Sequence, residues 1–574
     1  MQRLEAKRIN GHTYYYLSTW GWTHGKCRRL TQQYLGKAEA IVQAVQGGSP
    51  APQHALVLDW GLPLALWQEA HRAQVVAHVD QLCPKRAQGL SPGDYIRLAA
   101  VNRACDPVSK QAMWDWCGRT VLPRLWPAAT ADQLTSQRFW DHMERIAPDT
   151  AQNIWQALIA GVLQRETIAL SQICYDGTNF YTFIDTFNVR CQVARRGKNK
   201  QGRGNLRQVN YALFCSTDGH LPLFYEVYEG NRNDVTEFPR VLAKFQHWLA
   251  AHAGPAGATT KPTVVFDKGN NSADNFTLID QLGLPYVGSV KLDEQPELAA
   301  VSNRDARWQA ATEPGLAGTK SWRTQKTVYG RERTLVVTYN EHLFATQWAT
   351  VQNDLAKALP ELATVQAQLE NRAAGRVKGG VAPTVDSVTR RCAQILHRQH
   401  LRQLVPCTVT LGPAGVPQLT YAADAAALAQ LADTSLGKTV LITGHQAWTD
   451  AQIIRAYRSQ FVIEEMFHEM KDRHIGAWWP MYHWTDSKIQ VHGLYCTIAV
   501  LLRALLWRRA SQGGLRLSMS GLLEKLRQLQ QVINVYPAQR AGQLAKEQAV
   551  LTQRDEIQAK LIEILELPVA KPAI

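Results

Sequence analysis

Short apolar runs that end at turn-forming or charged residues dominate the middle of the chain. They are rich in Val, Ile, Tyr and Phe, which favours strands, and the stretches between the later runs have the period of an amphipathic helix. The predicted strands cover 168–175, 211–217, 221–229, 263–266 and 286–291, and the predicted helices cover 233–252 and 272–282. The Asp218-Gly219 pair predicts a hairpin between the second and third strands.

The predicted order of elements is that of an RNase H-like α/β core. It consists of three strands followed by a helix, a strand, a helix and a strand. A strand at 439–443 and a helix from Thr449 resume the pattern, so residues 292–437 predict an insertion domain. Upstream, aromatic and polar residues alternate at 11–35, which predicts a β-hairpin or meander, and the period from 55 to 165 is helical.

The helix that begins at Thr449 carries an unusual stripe. Thr449 with Gln452 is a capping-box pattern, and we expect one continuous helix over 450–472. Three of its residues repeat every seven positions and therefore stay near one face. They are Tyr457, Glu464 and Lys471. The stripe indicates one wall of a polar cleft, although an ordinary amphipathic helix also produces polar residues at this spacing.

The charge composition indicates which class of molecule the protein binds. A chain of 574 residues is too long for one core, and 63 Lys and Arg against 48 Asp and Glu give a net charge of +15, which favours a nucleic acid as partner. The ten cysteines are scattered without Cys-x-x-Cys pairs, which predicts reduced core thiols. Arg503 interrupts the most apolar run, 495–507, which is too short to span a bilayer, so we expect no membrane partner.

Two stretches concentrate the positive charge. Residues 195–207 contain six Lys or Arg, three Gly and no acid, which indicates either a DNA-binding loop or a solvated loop. The candidate DNA ligands in this loop are Arg195, Arg196, Lys198, Lys200 and Arg203. Residues 372–402 contain seven Lys or Arg and only Asp386 to oppose them, and form a second candidate DNA surface.

The string from Tyr457 to Lys471 resembles the Tyr-x2-Arg-x3-Glu-x6-Lys signature of bacterial insertion-sequence DDE transposases. The spacing is kept, and Gln460 stands where the signature has Arg. Further motifs follow in the order of that family. They are Tyr175-Asp176-Gly177-Thr178, the run from 203 to Asp234, Asp267-Lys268-Gly269 and the segment 480–486. The resemblance covers most of 168–530 and implies a β-rich insertion before the signature helix.

The resemblance implies that Asp176, Asp267 and Glu464 are catalytic and hold two Mg²⁺ ions, for which Mn²⁺ can substitute. Two adjacent ions suit an in-line displacement at a phosphodiester, and hard cations take carboxylate oxygens. Asp176 and Asp267 each follow a predicted strand, which puts both at one sheet edge, and Glu464 lies on a helix expected to pack there. Taken singly, each aspartate is also a common turn residue.

The resemblance further implies that Lys471 and Tyr457 contact DNA phosphates, with Arg458 or Arg455 a candidate for the role of the missing signature Arg. The expected partners are double-stranded transposon ends and target DNA, bound by a homodimer in the bacterial cytoplasm at the nucleoid. Two roles are open for the tryptophans Trp478, Trp479 and Trp484. We expect that they pack in the core, or that one of them stacks on a DNA base.

The predicted division of the chain has six parts. They are an N-terminal β-hairpin region at 1–48, a helical DNA-binding or assembly domain at 53–165, the first part of the core at 166–291, the insertion domain at 292–437, the second part of the core with the catalytic helix at 438–510, and a helical C-terminal region at 511–574. The predicted function is that of a DNA transposase, and the alternative is a catalytically inactive DNA-binding relative or another RNase H-like nuclease.

Overall fold

The computed structural model describes residues 1–23, 25–46, 51–85, 88–252, 261–377, 379–473, 478–537 and 545–569. Residues 47–50, where the first predicted region ends, lie outside the described residues. The chain forms two compact units. One consists of Met1–Gln68, Gln111–Thr135 and Arg509–Ile574, and the other of Glu69–Lys110 and Ser136–Arg508.

Strands occur along the whole described chain. They are β1 (Gln2–Ile9), β2 (His12–Thr23), β3 (Lys26–Gly36), β4 (His54–Asp59), β5 (Gln172–Thr182), β6 (Arg207–Ser216), β7 (Pro222–Glu229), β8 (Thr263–Phe266), β9 (Tyr286–Val290), β10 (Gln309–Ala310), β11 (Thr319–Val328), β12 (Arg331–Asn340), β13 (Cys407–Leu411), β14 (Pro417–Tyr421), β15 (Lys438–Thr443), β16 (Gln530–Tyr536) and β17 (Lys546–Leu551).

Helices connect and cover these strands. They are α1 (Ala38–Gln46), α2 (Gly61–Arg72), α3 (Val75–Leu82), α4 (Pro92–Cys105), α5 (Met113–Gly118), α6 (Leu122–Leu125), α7 (Ser136–Met143), α8 (Pro148–Glu166), α9 (Asp234–His252), α10 (Ala273–Leu282), α11 (Pro296–Ala299), α12 (Glu341–Ala373), α13 (Val385–Ile395), α14 (Leu401–Leu404), α15 (Ala425–Thr434), α16 (Asp450–Arg458), α17 (Phe461–Lys471), α18 (Asp486–Gln512), α19 (Met519–Arg527) and α20 (Glu556–Ile564). Short 3₁₀ turns lie at Lys268–Asn270 and Leu292–Glu294.

The first unit contains two antiparallel sheets. One is the meander β1-β2-β3, and the other has the order β17-β16-β4, with β16 paired on both sides. The C-terminal region at 511–574, predicted as helical, therefore contains two strands beside its helices α19 and α20. Alternate residues of β16 are buried, which is the period of a strand. Its partner β4 lies near the other end of the chain, so the pairing itself is not visible in the local sequence.

A nine-stranded sheet forms the centre of the second unit, in the order β10-β11-β12-β15-β9-β8-β5-β6-β7. β5, β6 and β7 are antiparallel, whereas β5, β8 and β9 run parallel, and helices α9 and α10 connect β7 to β8 and β8 to β9. Each predicted strand between 211 and 291 is present, β8 with the predicted ends and the other three with at least one end shifted. The sheet places the C-terminal end of β8 beside the middle of β5.

The segment predicted as an insertion contributes to this central sheet. β12 pairs with β15, and β11 with β12, so residues 319–340 belong to the sheet and not to a separate domain. The remainder, α12 to α15 with the hairpin β13-β14, packs around its own apolar core. The boundary at 292 and the β-rich character expected of the insertion are therefore wrong, because most of this part is helical.

Helix α18 is long and apolar enough to cross a membrane by length and composition. Its most apolar window is 94% buried inside the protein, however, which is the environment of a core helix. His492 on this helix hydrogen-bonds the carbonyl oxygen of Trp478 (2.7 Å), and Trp478 stacks on Phe180 with ring centroids 4.1 Å apart. Trp478 therefore packs in the core, which is the first of the two roles expected of the tryptophans.

Arg333 on β12 joins the sheet to helix α10. Its guanidinium donates to both carboxylate oxygens of Asp280 (3.1 and 2.7 Å) and to the hydroxyl of Tyr286 (2.7 Å). The Arg333 side chain is only 4% exposed, so these partners must offset the free-energy cost of burying its charge.

We predict that Arg333→Met lowers the free energy of unfolding by about 3 kcal/mol, because it leaves the Asp280 carboxylate, which is only 12% exposed, without its main partner. Arg331 is the matched control, since it contacts the same carboxylate at 3.3 Å but is 66% exposed. Arg331→Ala should change stability by no more than about 0.5 kcal/mol. Equal losses in urea unfolding of the two variants would contradict the assignment of Arg333 to the buried joint.

Candidate functional site

The pairing of β5 with β8 brings two aspartates together. The parallel register runs from Gln172 opposite Thr263 to Tyr175 opposite Phe266, so the next step places Asp176 beside Asp267. Neighbouring strands lie about 4.8 Å apart. β8 ends here, but β5 does not end at Asp176 as predicted. It continues to Thr182 while paired with β6 alone.

The two aspartates differ in their surroundings. Asp176 Oδ1 accepts a hydrogen bond from the backbone N–H of Gly177 (2.7 Å). Burial raises the pKa of Asp176 to about 6, against the opposing effect of the Lys200 ammonium, and the carboxylates of Asp267 and Asp234 raise it further. Asp267 Oδ1 accepts from the N–H of Gly269 (3.0 Å) at the start of a 3₁₀ turn. Asp267 therefore also has the turn role considered as its alternative.

Glu464 lies on α17, which packs against β5 and β6. Burial raises the pKa of Glu464, and the charge of Asp267 raises it further, so these two carboxylates interact. In the described part of the chain, no group of three or more His, Cys, Asp or Glu side chains is arranged to hold a metal ion. Asp176, Asp267 and Glu464 lie on or beside adjoining elements, β5, β8 and α17. That the three carboxylates share metal ions stays a prediction.

The predicted continuous helix over 450–472 is wrong, because α16 and α17 are separated at Ser459 and Gln460. The predicted capping box of Thr449 and Gln452 does begin α16. At the break, the Ser459 hydroxyl donates to the carbonyl oxygen of Ala456 (2.6 Å). The Gln172 amide of β5 donates to the same carbonyl (3.2 Å) and to Ser459 Oγ (2.5 Å). These bonds compete with the helical pattern and fix the joint to the strand that carries Asp176.

Tyr457 and Arg458 lie on α16, on the other side of the break from Glu464. Burial raises the pKa of Tyr457, and the charges of Asp267 and Glu464 raise it further, so Tyr457 lies near both carboxylates. The Tyr457 hydroxyl donates to Ser289 Oγ on β9 (2.9 Å). The Arg458 guanidinium donates to the carbonyl oxygen of Gly315 (3.1 Å) and to Thr319 Oγ1 (2.7 Å). Both side chains therefore hold α16 against the protein.

Two lysines approach the same part of β5 from different elements. Lys471 Nζ donates to Thr178 Oγ1, and Lys200 Nζ donates to the carbonyl oxygen of Gly177 (2.7 Å). Burial lowers the pKa of Lys471, and the charge of Lys200 lowers it further, whereas Asp176 opposes the shift. The two ammonium groups are therefore close enough to repel each other beside Asp176.

Asp234 is a site residue whose role the sequence did not reveal. It forms an ion pair with Lys200 (3.2 Å) and accepts a hydrogen bond from the Tyr228 hydroxyl (3.0 Å). The sequence showed Asp234 only as the end of a motif and the start of a helix. Its proximity to Asp176 depends on the pairing of β6 with β7, which carries the chain back to β5.

The basic loop at 195–207 is fixed to the sheet. Arg195 and Gln208 exchange backbone hydrogen bonds (3.0 and 2.8 Å), and the carbonyl oxygen of Lys198 accepts from the Asn179 amide (3.2 Å). Arg196 donates to Thr186 Oγ1 (3.0 Å), and the Arg203 guanidinium lies 5.9 Å from the centre of the Tyr181 ring. The loop thus holds its cations in defined places beside β5.

Comparison with known proteins gives a family match. The sequence model described as "Transposase DDE domain" matches residues 170–501. A solved structure, a cryo-EM structure of the piggyBac transposase synaptic complex with hairpin DNA, is 10% identical, with a TM-score of 0.37 over 81% of this chain and 79% of that chain. No curated protein sequence matches the chain.

We predict that the joint at Ser459 depends on Gln172. Gln172→Leu and Ser459→Ala should each lower the free energy of unfolding by about 1 kcal/mol, because each removes part of one hydrogen-bonded group. The double variant should lose less than the sum, with a coupling energy of about 0.5 kcal/mol or more. Strictly additive losses in urea unfolding would show that Gln172 does not hold the joint.

Proposed function

The chain belongs to the transposase DDE-domain family, and we propose that it binds the ends of an insertion sequence and catalyses cleavage and strand transfer of DNA at Asp176, Asp267 and Glu464. The observation that carries this proposal is the β5–β8 register, which puts Asp176 beside Asp267 while the charge of Asp267 reaches Glu464. The family match covers all three residues.

The sheet topology supports an RNase H-like core. Along β7-β6-β5-β8-β9, the first three strands in the chain are antiparallel and the next two run parallel to β5, with a helix before each. Such a sheet holds groups from β5 and β8 at a common position and receives a third group from a helix packed on it. The proposed carboxylates lie on these elements, with Asp176 on β5, Asp267 directly after β8 and Glu464 on α17.

The three carboxylates fit divalent cations chemically. Hard cations favour carboxylate oxygens, and a cation offsets the repulsion and desolvation that raise the pKa values of Asp176 and Glu464. We propose that Asp176, Asp267 and Glu464 hold two Mg²⁺ ions, with Mn²⁺ as a substitute. When bound, such ions activate the attacking oxygen and stabilise the leaving oxygen of a phosphodiester.

The remaining site residues orient DNA. Lys471 and Lys200 present ammonium groups beside Asp176, where they can bind phosphates next to the reacting bond. Asp234 and Tyr228 hold Lys200 in this place. Tyr457 and Arg458 support α16 through their bonds within the protein, and we propose that they also contact DNA phosphates. The net charge of +15 also supports binding to double-stranded DNA.

We further propose that the protein acts as a homodimer on DNA in the bacterial cytoplasm, associated with the nucleoid. Joining two DNA ends requires two active sites or two end-binding surfaces. Sedimentation of the protein with DNA that carries its terminal sequences tests this assembly, since one chain per pair of ends would contradict it.

We predict that Asp176→Ala, Asp267→Ala and Glu464→Ala each reduce DNA cleavage in Mg²⁺ or Mn²⁺ by roughly a thousandfold, the equivalent of several kcal/mol of metal-assisted stabilisation. Binding to labelled terminal DNA should change by no more than about twofold, because the groups that bind DNA remain. Glu465→Ala is the matched control, since Glu465 is an exposed neighbour on α17. Near wild-type cleavage by Glu464→Ala would refute the assignment, and a wild-type chain that binds but never cleaves would favour the inactive relative.

We predict that replacing Arg195, Arg196, Lys198 and Lys200 together by Gln weakens binding to terminal and random DNA alike. The slope of log affinity against log salt should fall by roughly 0.9 for each phosphate that the variant no longer neutralises. The comparison variant replaces Arg390, Arg391, Arg398 and Arg402 of the second basic stretch. If only this second variant changes the slope, DNA follows that stretch and not the loop at 195–207.

A further inference from the structure

Large apolar side chains are exposed beyond the end of β5. Phe187 is 89% exposed, Phe183 69% and Trp484 45%, and Val189 and Tyr482 are exposed nearby. The loop 183–192 and the segment before α18 are joined, because the Asn188 amide donates to the carbonyl oxygen of Trp484 (3.1 Å). We call Phe183, Phe187 and Trp484 the aromatic patch. Exposed apolar groups gathered in this way mark interaction surfaces.

The loop that carries Phe187 is held by many hydrogen bonds. Asp185 Oδ1 accepts from the N–H of Phe187 (2.7 Å), and Asn188 Oδ1 accepts from the N–H of Arg190 (2.8 Å). The Arg207 guanidinium donates to the carbonyl oxygens of Thr186, Asn188 and Cys191. Asp486 Oδ1 accepts from the N–H groups of Gln192 and Val193 (2.8 and 2.9 Å). The rings are thus presented by an ordered loop that does not bury them.

A row of cations leads along β5 from Asp176 to this patch. Each cation contacts a successive position of the strand or the loop that follows it. The contacts are Lys200 with Gly177, Lys471 with Thr178, Arg473 and Arg203 with Tyr181, and Arg196 with Thr186. The Arg190 guanidinium then lies 5.5 Å from the centre of the Trp484 ring. We call this row the basic track.

The charge of this surface selects its partner. Residues 183–207 contain seven Lys or Arg and a single acid, Asp185. A second copy of the same surface would bring these like charges together, whereas a polyanion neutralises them. Exposed rings beside a row of cations are the combination that binds unpaired nucleotides, because cations bind the phosphates and the rings stack on the bases.

We propose that an unpaired DNA strand leaves the active site along the basic track and stacks its bases on the aromatic patch, chiefly on Phe187. The six steps from Asp176 to Thr182 span about 20 Å of extended strand. This inference rests on the proposed function in that the ligand is the DNA strand processed at Asp176.

The test compares single-stranded with double-stranded DNA. The probes are a fluorescent oligothymidylate of about 12 nucleotides, which fits the size of single-strand sites, and a blunt duplex. Phe187→Ala should weaken binding to the oligothymidylate by roughly fivefold to a hundredfold, and binding to the duplex by less than about twofold. The salt slope should not change, since the variant keeps every cation of the basic track. Phe187→Tyr should restore binding and Phe187→Leu should not, because stacking needs a ring.

Leu411→Ala is the matched control, since Leu411 is 68% exposed on a hairpin away from β5. It should bind both probes as the wild type does. Equal weakening on both probes, or no weakening by Phe187→Ala, overturns the inference and leaves the proposed function intact. A change in the sedimentation of the free protein on Phe187→Ala would instead identify the patch as an interface between copies. A wild-type chain that binds neither probe overturns the proposed function itself.

Discussion

The register between β5 and β8 is the constraint on which the site depends. Residues 173–175 are buried between their neighbours, as are all residues of β8. A slip by one residue would turn the buried side chains to the other face of the sheet, so the register is fixed by packing. Asp176 and Asp267 are neighbours because the buried runs before them end together.

Holding carboxylates this close has an electrostatic cost, which the rest of the unit offsets. The pKa of Asp176, at about 6, reflects burial and the charges of Asp267 and Asp234. Lys200 opposes this from the loop at 195–207, and the charge of Asp176 in turn raises the pKa of Lys471 at the end of α17. The cations come from segments far apart in the chain, so the site's charge balance requires the whole sheet and its covering helix to be in place.

The sequence reveals the parts of this arrangement that depend on local patterns. The strands before Asp176 and Asp267 are continuous apolar runs, and the cap of α16 is encoded by Thr449 and Gln452. The break at Ser459 is not visible in this way, because two of the hydrogen bonds that hold it come from Gln172, a residue of another element. The strand β12 is recognisable from its local pattern, but only its pairing with β15 shows that it belongs to the central sheet. The same holds for β16 and β4, which pair across almost the full length of the chain.

The continuation of β5 past Asp176 links the chemistry to the surface around it. A strand that ended at Asp176 would leave Gly177, Thr178 and Tyr181 in a loop, without a fixed spacing. Because these residues stay paired with β6, the side chains that contact them are held at intervals set by the strand. Lys200, Lys471 and Arg203 are therefore held at fixed positions along β5 and do not form a diffuse positive charge. Cations fixed along the strand can guide a phosphate backbone away from the carboxylates, towards the loop that carries Phe187.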